Sequence, residues 1–351
     1  MLSYPRIRRG ALPVGDLWWS LSFPKRITLP AMLPAEDTRP PALLPYTALP
    51  AERIGMHPPT ELPANVRLGT VHLAVANLAR SLGFYQHVVG FQLLRQLPAT
   101  EDQAAVAELG VADSSQVVVR LQEQLGARPV PRRGRLGIYH LAVLLPTRAY
   151  LGRFLRHVRA LGVHVGASDH LYSEATYVVD PDGFTIEVYR DRPRSEWLVT
   201  AEGEIQSALE PLDEVGLRQA AGNTPWQGLP AGTTIGHLHF YTGSLAQAAA
   251  FYHQALGFDI ETWSLPGALF VGAGGYHHHL GLNVWAAGSP AATTADARML
   301  RWELWLPDAA TRDAAAARLQ AAGYPVGLTP EGPIATDPWG IRLLLCAEAQ
   351  P

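Results

Sequence analysis

The sequence predicts an α+β protein of four βαβββ units arranged in two domains, and three observations carry that expectation. The chain repeats itself: Val71-His72-Leu73-Ala74-Val75 returns as Gly236-His237-Leu238-His239-Phe240, Phe84-Tyr85 as Phe251-Tyr252, and Gly90-Phe91 as Gly257-Phe258. Strand-like apolar runs alternate with stretches of helical spacing inside each copy. Matching turns, Asp180-Pro181-Asp182-Gly183 and Asp337-Pro338-Trp339-Gly340, recur late in each copy.

Taken in order, residues 1–65 read as an extension with poor order, because prolines recur (Pro24, Pro30, Pro34, Pro40, Pro41, Pro45, Pro50) without sustained periodicity. Arg6, Arg8 and Arg9 precede an apolar stretch, but Pro13 and Asp16 interrupt it before it makes a signal-peptide core. Met56, just ahead of the first strong strand, is a second candidate start of translation. A strand around His72 leads into a helix over Asn77 to Val88, where Leu78, Leu82 and Tyr85 share one face and Gly90 ends it. Strands follow over Gln116 to Leu121 and Ile138 to Leu145, then a second helix over Tyr150 to Leu161. The copy finishes with strands at Val163 to Gly166, Ala175 to Val179 and Phe184 to Tyr189. In the turn at Asp180, Pro181 fixes φ and Gly183 accepts a positive φ, which joins the last two strands as a hairpin. These elements give a first domain over residues 66–190, a linker over 191–232 with a short helix near Leu212 to Ala221, and a second domain over 233–348.

Composition excludes several classes of function. With 48% hydrophobic and 17% charged residues and nine Trp in 351 residues, the chain has ample material for buried cores. A net charge of −3 with no long basic block gives no electrostatic footprint for nucleic acid or an anionic membrane, so a small-molecule partner is expected. The lone Cys346 forms no internal disulfide, and no apolar run is long enough to span a bilayer; a reducing, cytoplasmic setting is expected. A homodimer is the expectation from the prevalence of two-fold assemblies.

The chemistry-bearing residues fall in the first half. His72 and His140 occupy equivalent places in the strands that open the first and second units, and Glu187 lies mid-strand among apolar neighbours. A buried carboxylate there needs a cation, a metal or a dense set of hydrogen bonds. Two strand histidines and one carboxylate can form a facial triad, which suits Fe(II) and leaves positions open for a substrate and O₂. The alternative is two hydrogen-bonded core histidines and an edge-strand carboxylate facing water.

This pattern resembles the vicinal oxygen chelate superfamily, which includes glyoxalase I, the bleomycin-resistance proteins and the extradiol ring-cleaving dioxygenases, over about residues 66–348. The stretch from His170 through Tyr177 and Asp180-Pro181-Asp182-Gly183 to Glu187 is similar to the extradiol signature, from which Ser168 and Thr176 depart. The resemblance implies cupped mixed sheets, Fe(II) or Mn(II) held by His72, His140 and Glu187, and proton handling by His170 and Tyr177 beside the metal. It implies an extradiol dioxygenase that adds O₂ to a catechol or hydroquinone. A glyoxalase-like isomerase, which calls for four protein ligands, and a metal-free bleomycin-resistance-like binding protein are the competing readings.

In the second half, Leu344 falls where Glu187 would repeat and Arg301 where His140 would, so a second equivalent site is broken. His237, with one of His277, His278 or His279 and with Glu303, remains a weaker candidate for a second metal position. An active first half with a degenerate second half is similar to the branch that contains the Bacillus-type catechol 2,3-dioxygenases, in which Tyr276-His277-His278-His279-Leu280-Gly281-Leu282-Asn283 has a familiar form.

Overall fold

Four successive units of strand, helix and three strands follow one another in the computed structural model, which describes residues 61–348. The extension expected over residues 1–65, apart from its last five residues, and Met56 lie outside the described residues. The first unit comprises β1 (Arg67–Val75), α1 (Leu78–Phe84, running into a π-helical turn at Tyr85–Val89), β2 (Gln92–Leu97), β3 (Val106–Gly110) and β4 (Val119–Glu123). The second holds β5 (Gly137–Leu144), α2 (Arg148–Ala160), β6 (Gly166–Asp169), β7 (Ser173–Val179) and β8 (Thr185–Asp191). After the linker helix α3 (Glu214–Ala221), the third holds β9 (Thr234–Tyr241), α4 (Leu245–Ala248, continuing as a π-helix over Ala249–Ala255), β10 (Asp259–Thr262), β11 (Ala268–Gly272) and β12 (Leu280–Asn283). The fourth holds β13 (Arg298–Leu306), α5 (Ala309–Ala321), β14 (Val326–Thr329), β15 (Gly332–Thr336) and β16 (Arg342–Ala347).

Each unit starts its helix in the same way. Asn77, Thr147, Ser244 and Asp308 stand in extended backbone, and the side chain of each accepts the N–H three residues on. Gly90, at φ 101°, closes the first helix as the spacing predicts. No helix among the described residues is long and apolar enough to cross a membrane.

Two eight-stranded mixed sheets result, in the orders β14-β15-β16-β13-β1-β4-β3-β2 and β10-β11-β12-β9-β5-β8-β7-β6. The first and fourth units therefore share one sheet, and the second and third share the other. The two stretches expected as domains, 66–190 and 233–348, each contribute strands to both sheets. The opening strands pair edge to edge across the halves, β1 with β13 and β5 with β9. Each half is nevertheless tied internally: Tyr85 donates to Asp180 at 3.3 Å and Tyr252 to Asp337 at 2.8 Å, so the repeated Phe-Tyr and Asp-Pro motifs meet. One large apolar cluster draws on both sheets and their helices, with Leu73, Leu141, Phe154, Phe240 and Trp302 among its fully buried members. Burial of this area is the main favourable contribution to folding.

The chain crosses between the sheets twice, after β4 and after β12, and the crossings run side by side through bridges at Arg128–Asp296 and Leu136–Ala291. Asp296 pins them. Its carboxylate accepts from Arg128 at 2.8 Å, from Arg135 at 3.0 Å and from Thr293, and these partners, Arg135 foremost, hold it well below the usual carboxylate range. Because the folded value is depressed, this contribution is present above about pH 4 and is lost as pH falls toward the folded value. Asp296→Ala is expected to cost about 2 kcal/mol at neutral pH, read by urea unfolding. The same variant measured in acid should show a smaller deficit; an undiminished deficit at low pH would discount the carboxylate's role.

Candidate metal centre

The second sheet builds its centre from three adjacent strands. β5 and β9 run antiparallel with His140 opposite His239 and Ala142 opposite His237, and β8 lies parallel to β5 with Glu187 opposite Ala142. Two bulges interrupt the β5–β9 ladder, at Tyr139 and at Gly236, each immediately before a histidine. A bulge adds one residue and re-aims its neighbours. Tyr139 thereby packs beside His140, ring centroids 4.8 Å apart, where strict alternation would send it to the opposite face. At Gly236 a side chain is not tolerated, since an added Cβ would stand 1.9 Å from the Tyr189 hydroxyl.

On the shared face, His140 Nε2 lies 3.1 Å from Glu187 Oε2, His237 Nε2 lies 3.2 Å from the same oxygen, and the two Nε2 atoms are 3.2 Å apart. All three residues are buried. Burial pushes the Glu187 carboxyl up, but the imidazoles of His237 and His140 outweigh it and hold the net value well below normal. Burial takes His237 down to about 4, against the opposing pull of Glu187. The centre is thus a carboxylate between two imidazoles. Protons alone serve it only if both imidazoles donate to one oxygen. That leaves Glu187 Oε1 buried with no hydrogen-bond partner among the described residues. A divalent cation fits better. Donor atoms about 2.1 Å from a cation and at right angles to one another stand about 3 Å apart, close to the triangle seen here.

His72, expected as the third ligand, is not part of this triangle. It lies on β1 in the other sheet, opposite Arg301, with its Nε2 3.2 Å from Glu303 Oε1 and 3.4 Å from Arg301 Nε. Glu303 also accepts from the Thr70 N–H at 3.1 Å and the Trp305 indole at 3.2 Å, while Arg301 pairs with Glu331. Leu344 sits opposite Glu303 on β16. The broken site therefore joins His72 to Arg301 and Leu344, and the complete one joins His140 and Glu187 to His237. The weaker second set is not brought together either, since Glu303 stands in the first sheet and His237 beside His140 and Glu187 in the second.

An approximate two-fold relation between the second and third units makes a further position meaningful. Two residues after His140, Ala142 faces Glu187; two residues after His237, His239 faces Gly281. Gly281 is thus the counterpart of Glu187, and the His239 ring fills the space, 2.7 Å from where a Cβ would be. Asn283 Nδ2 donates to His239 Nε2 at 2.9 Å, while its own Oδ1 accepts the Trp285 N–H, which fixes that amide's orientation. Among the described residues, no second carboxylate stands there as a fourth ligand.

Of the two proton-handling candidates, Tyr177 lies opposite Glu187 on β7, its ring 5.9 Å from that of His140, and its hydroxyl is 2.7 Å from His170 Nε2. Burial, followed by the charge of Glu187, holds the phenol well above its ordinary value. The Ala208 carbonyl accepts from His170 Nδ1 at 2.9 Å, so a neutral His170 carries its proton there and accepts the Tyr177 O–H at Nε2. Thr176 satisfies itself by donating to the Val188 carbonyl. Sequence reasoning set apart the histidines of the Tyr276 segment; the structure brings His278 against His237, ring centroids 4.3 Å apart. Tyr139, Tyr241 and Trp285 form an aromatic wall on the other side.

A family model described as the Glyoxalase/Bleomycin resistance protein/Dioxygenase superfamily matches residues 67–188 and 234–345. The chain is 39% identical over 281 residues, 80% of its own length and 96% of the relative's, to a catechol-2,3-dioxygenase of Bacillus subtilis (strain 168). A solved structure from Bacillus subtilis subsp. subtilis str. 168 superposes with a TM-score of 0.57 at 12% identity, covering 84% of this chain and 87% of that one. Glyoxalase I from Zea mays superposes with a TM-score of 0.50 at 16% identity, covering 80% and 92%. Two copies of the family's domain, in a fold of two eight-stranded mixed sheets, make this chain a member of the glyoxalase/bleomycin resistance protein/dioxygenase superfamily.

Proposed function

We propose that the chain is an extradiol ring-cleaving dioxygenase that adds O₂ to a catechol or hydroquinone, with Fe(II) or Mn(II) held by His140, Glu187 and His237. The observation that carries this reading is the closure of three buried donors from three strands onto one point, with Gly281 where a fourth ligand would stand. The 39% identical catechol-2,3-dioxygenase supports the same reaction class. Such a triad supplies a Lewis-acidic metal with adjacent open positions. Around it, the chain's own residues bind and orient. Tyr139, Tyr241 and Trp285 offer faces to an aromatic ring, and Tyr177, kept neutral, can donate to or accept from a substrate oxygen. His170 Nε2 can then take up a proton through the Tyr177 hydroxyl.

A four-ligand isomerase of glyoxalase type is the second reading, and Gly281 argues against it. Anaerobic reconstitution with Fe(II) or Mn(II), then oxygen uptake on a panel of catechols and hydroquinones, separates the two. Uptake with a ring-opened product supports the dioxygenase; none with any member of the panel sinks it.

A further inference from the structure

β8 carries more than one side chain toward the centre. Strand alternation places Glu187, Tyr189 and Asp191 on one face, and Asp191 begins a chain of contacts that returns to the metal centre from the third unit. Its Oδ1 lies 2.8 Å from His277 Nε2, and its Oδ2 accepts from the Tyr276 hydroxyl at 3.0 Å, which in turn lies 2.9 Å from the Tyr189 hydroxyl. His277 is fully buried, stacked on Tyr172 with centroids 4.3 Å apart and planes 15° apart. Its Nδ1 lies 2.8 Å from Nδ1 of His278.

Donor and acceptor inventories set the protons along this chain. An ionised carboxylate only accepts, so His277 Nε2 carries a proton. In neutral His277, Nδ1 is then a lone pair, and the proton shared with His278 must sit on His278 Nδ1. Neutral His278 is left with a bare Nε2. That nitrogen has no hydrogen-bond partner among the described residues, and its ring packs on the ligand His237 and on Phe270. A cationic His277 would still donate to Asp191 but would also donate from Nδ1, leaving the proton of His278 on Nε2, so the order given stands on a neutral His277.

We propose that Asp191, acting through His277, is a positioning residue that holds His278 in the tautomer with a bare Nε2 and presents that atom as a hydrogen-bond acceptor for a substrate hydroxyl. The use of the acceptor rests on the ring-cleavage reading; the tautomer does not. Asp191→Asn should invert the chain. The Tyr276 hydroxyl keeps the amide oxygen, the amide nitrogen turns to His277 Nε2, and the proton order reverses until His278 bears its hydrogen on Nε2.

The test is ring-nitrogen NMR of the full chain labelled with ¹⁵N-histidine and loaded with diamagnetic Zn(II), with His278→Gln assigning the signal. The wild type should show a lone-pair Nε2 on His278, and Asp191→Asn a protonated one. In parallel, the Fe(II)-loaded variant should keep wild-type metal content while kcat/KM on the best catechol falls by about 100-fold, an effect in kind like a triad histidine held in the wrong tautomer. A protonated Nε2 in the wild type overturns the inference, and needs no variant to fold. An unchanged tautomer in Asp191→Asn, or an inverted one with full activity, also overturns it. Absence of oxygen uptake in the wild type overturns the ring-cleavage reading and the use assigned to His278, whereas the spectrum still decides the tautomer.

Discussion

Replacing His237 with alanine will leave the chain unable to hold a divalent cation, while replacing His72 with alanine will leave cation binding intact. His237 is one of three donors 3.1 to 3.2 Å from one another, and these three are the group of convergent donors found among the described residues. Loss of an outer hydrogen-bond partner already lowers metal affinity by about 10- to 100-fold, so loss of a direct ligand should exceed about 100-fold. His72 belongs to the other sheet. Its removal takes one partner from Glu303, which keeps the Thr70 N–H and the Trp305 indole, at a cost of about 1–3 kcal/mol in stability. Elemental analysis after anaerobic loading, with thermal unfolding alongside, reads both outcomes. A metal-replete His237→Ala protein, or a metal-free His72→Ala protein, would contradict the assignment.

The double variant Gly281→Glu with His239→Ala should keep its metal and lose oxygen uptake. Gly281 is the pseudo-symmetric counterpart of Glu187, and the His239 ring occupies the volume that a longer side chain there would need. Clearing the ring and adding a carboxylate supplies a fourth protein ligand, of the kind a closed site uses. Metal affinity should rise or hold, and too few positions then remain for a two-oxygen substrate together with O₂. His239→Ala alone is the control and should retain metal, because His239 contacts the ligands only through its ring edge. Full oxygen uptake in a metal-loaded double variant would rule out an open position on that side.

The elements were far more legible than their partnership. Apolar spacing located both helices of the first copy, and the Pro and Gly of the turn at Asp180 fixed the β7–β8 hairpin, because these signals are local. β2 was missed: an edge strand with Gln92, Leu93, Arg95 and Gln96 exposed has no buried face to impose alternation. His140 and Glu187 were readable as polar residues inside strands that must be buried. The third ligand was not, since a repeat aligns His72 with His237 equally well and says nothing about which opening strand lies beside β5. One signal did bear on it: Arg301 and Leu344 both fall in the fourth unit, while the histidines of the Tyr276 segment fall in the third, which marks the third as the polar partner. The role of Asp191 was invisible for the same reason, as it depends on the third unit packing against β8.

The double crossover has a consequence for how the chain acquires its structure. His140 and His237 of the proposed metal centre are separated by 97 residues, whereas His72 and Glu303 meet across 231. The inner sheet is nested within the outer one along the polypeptide: β1 pairs with β4 inside its own unit, but its other neighbour, β13, comes from the last unit. Long loop closure slows folding and leaves strand edges unpaired meanwhile. The sheet that carries His140, Glu187 and His237 can therefore close over the shorter stretch of chain, ahead of the pairing that joins His72 to Glu303 in the other sheet.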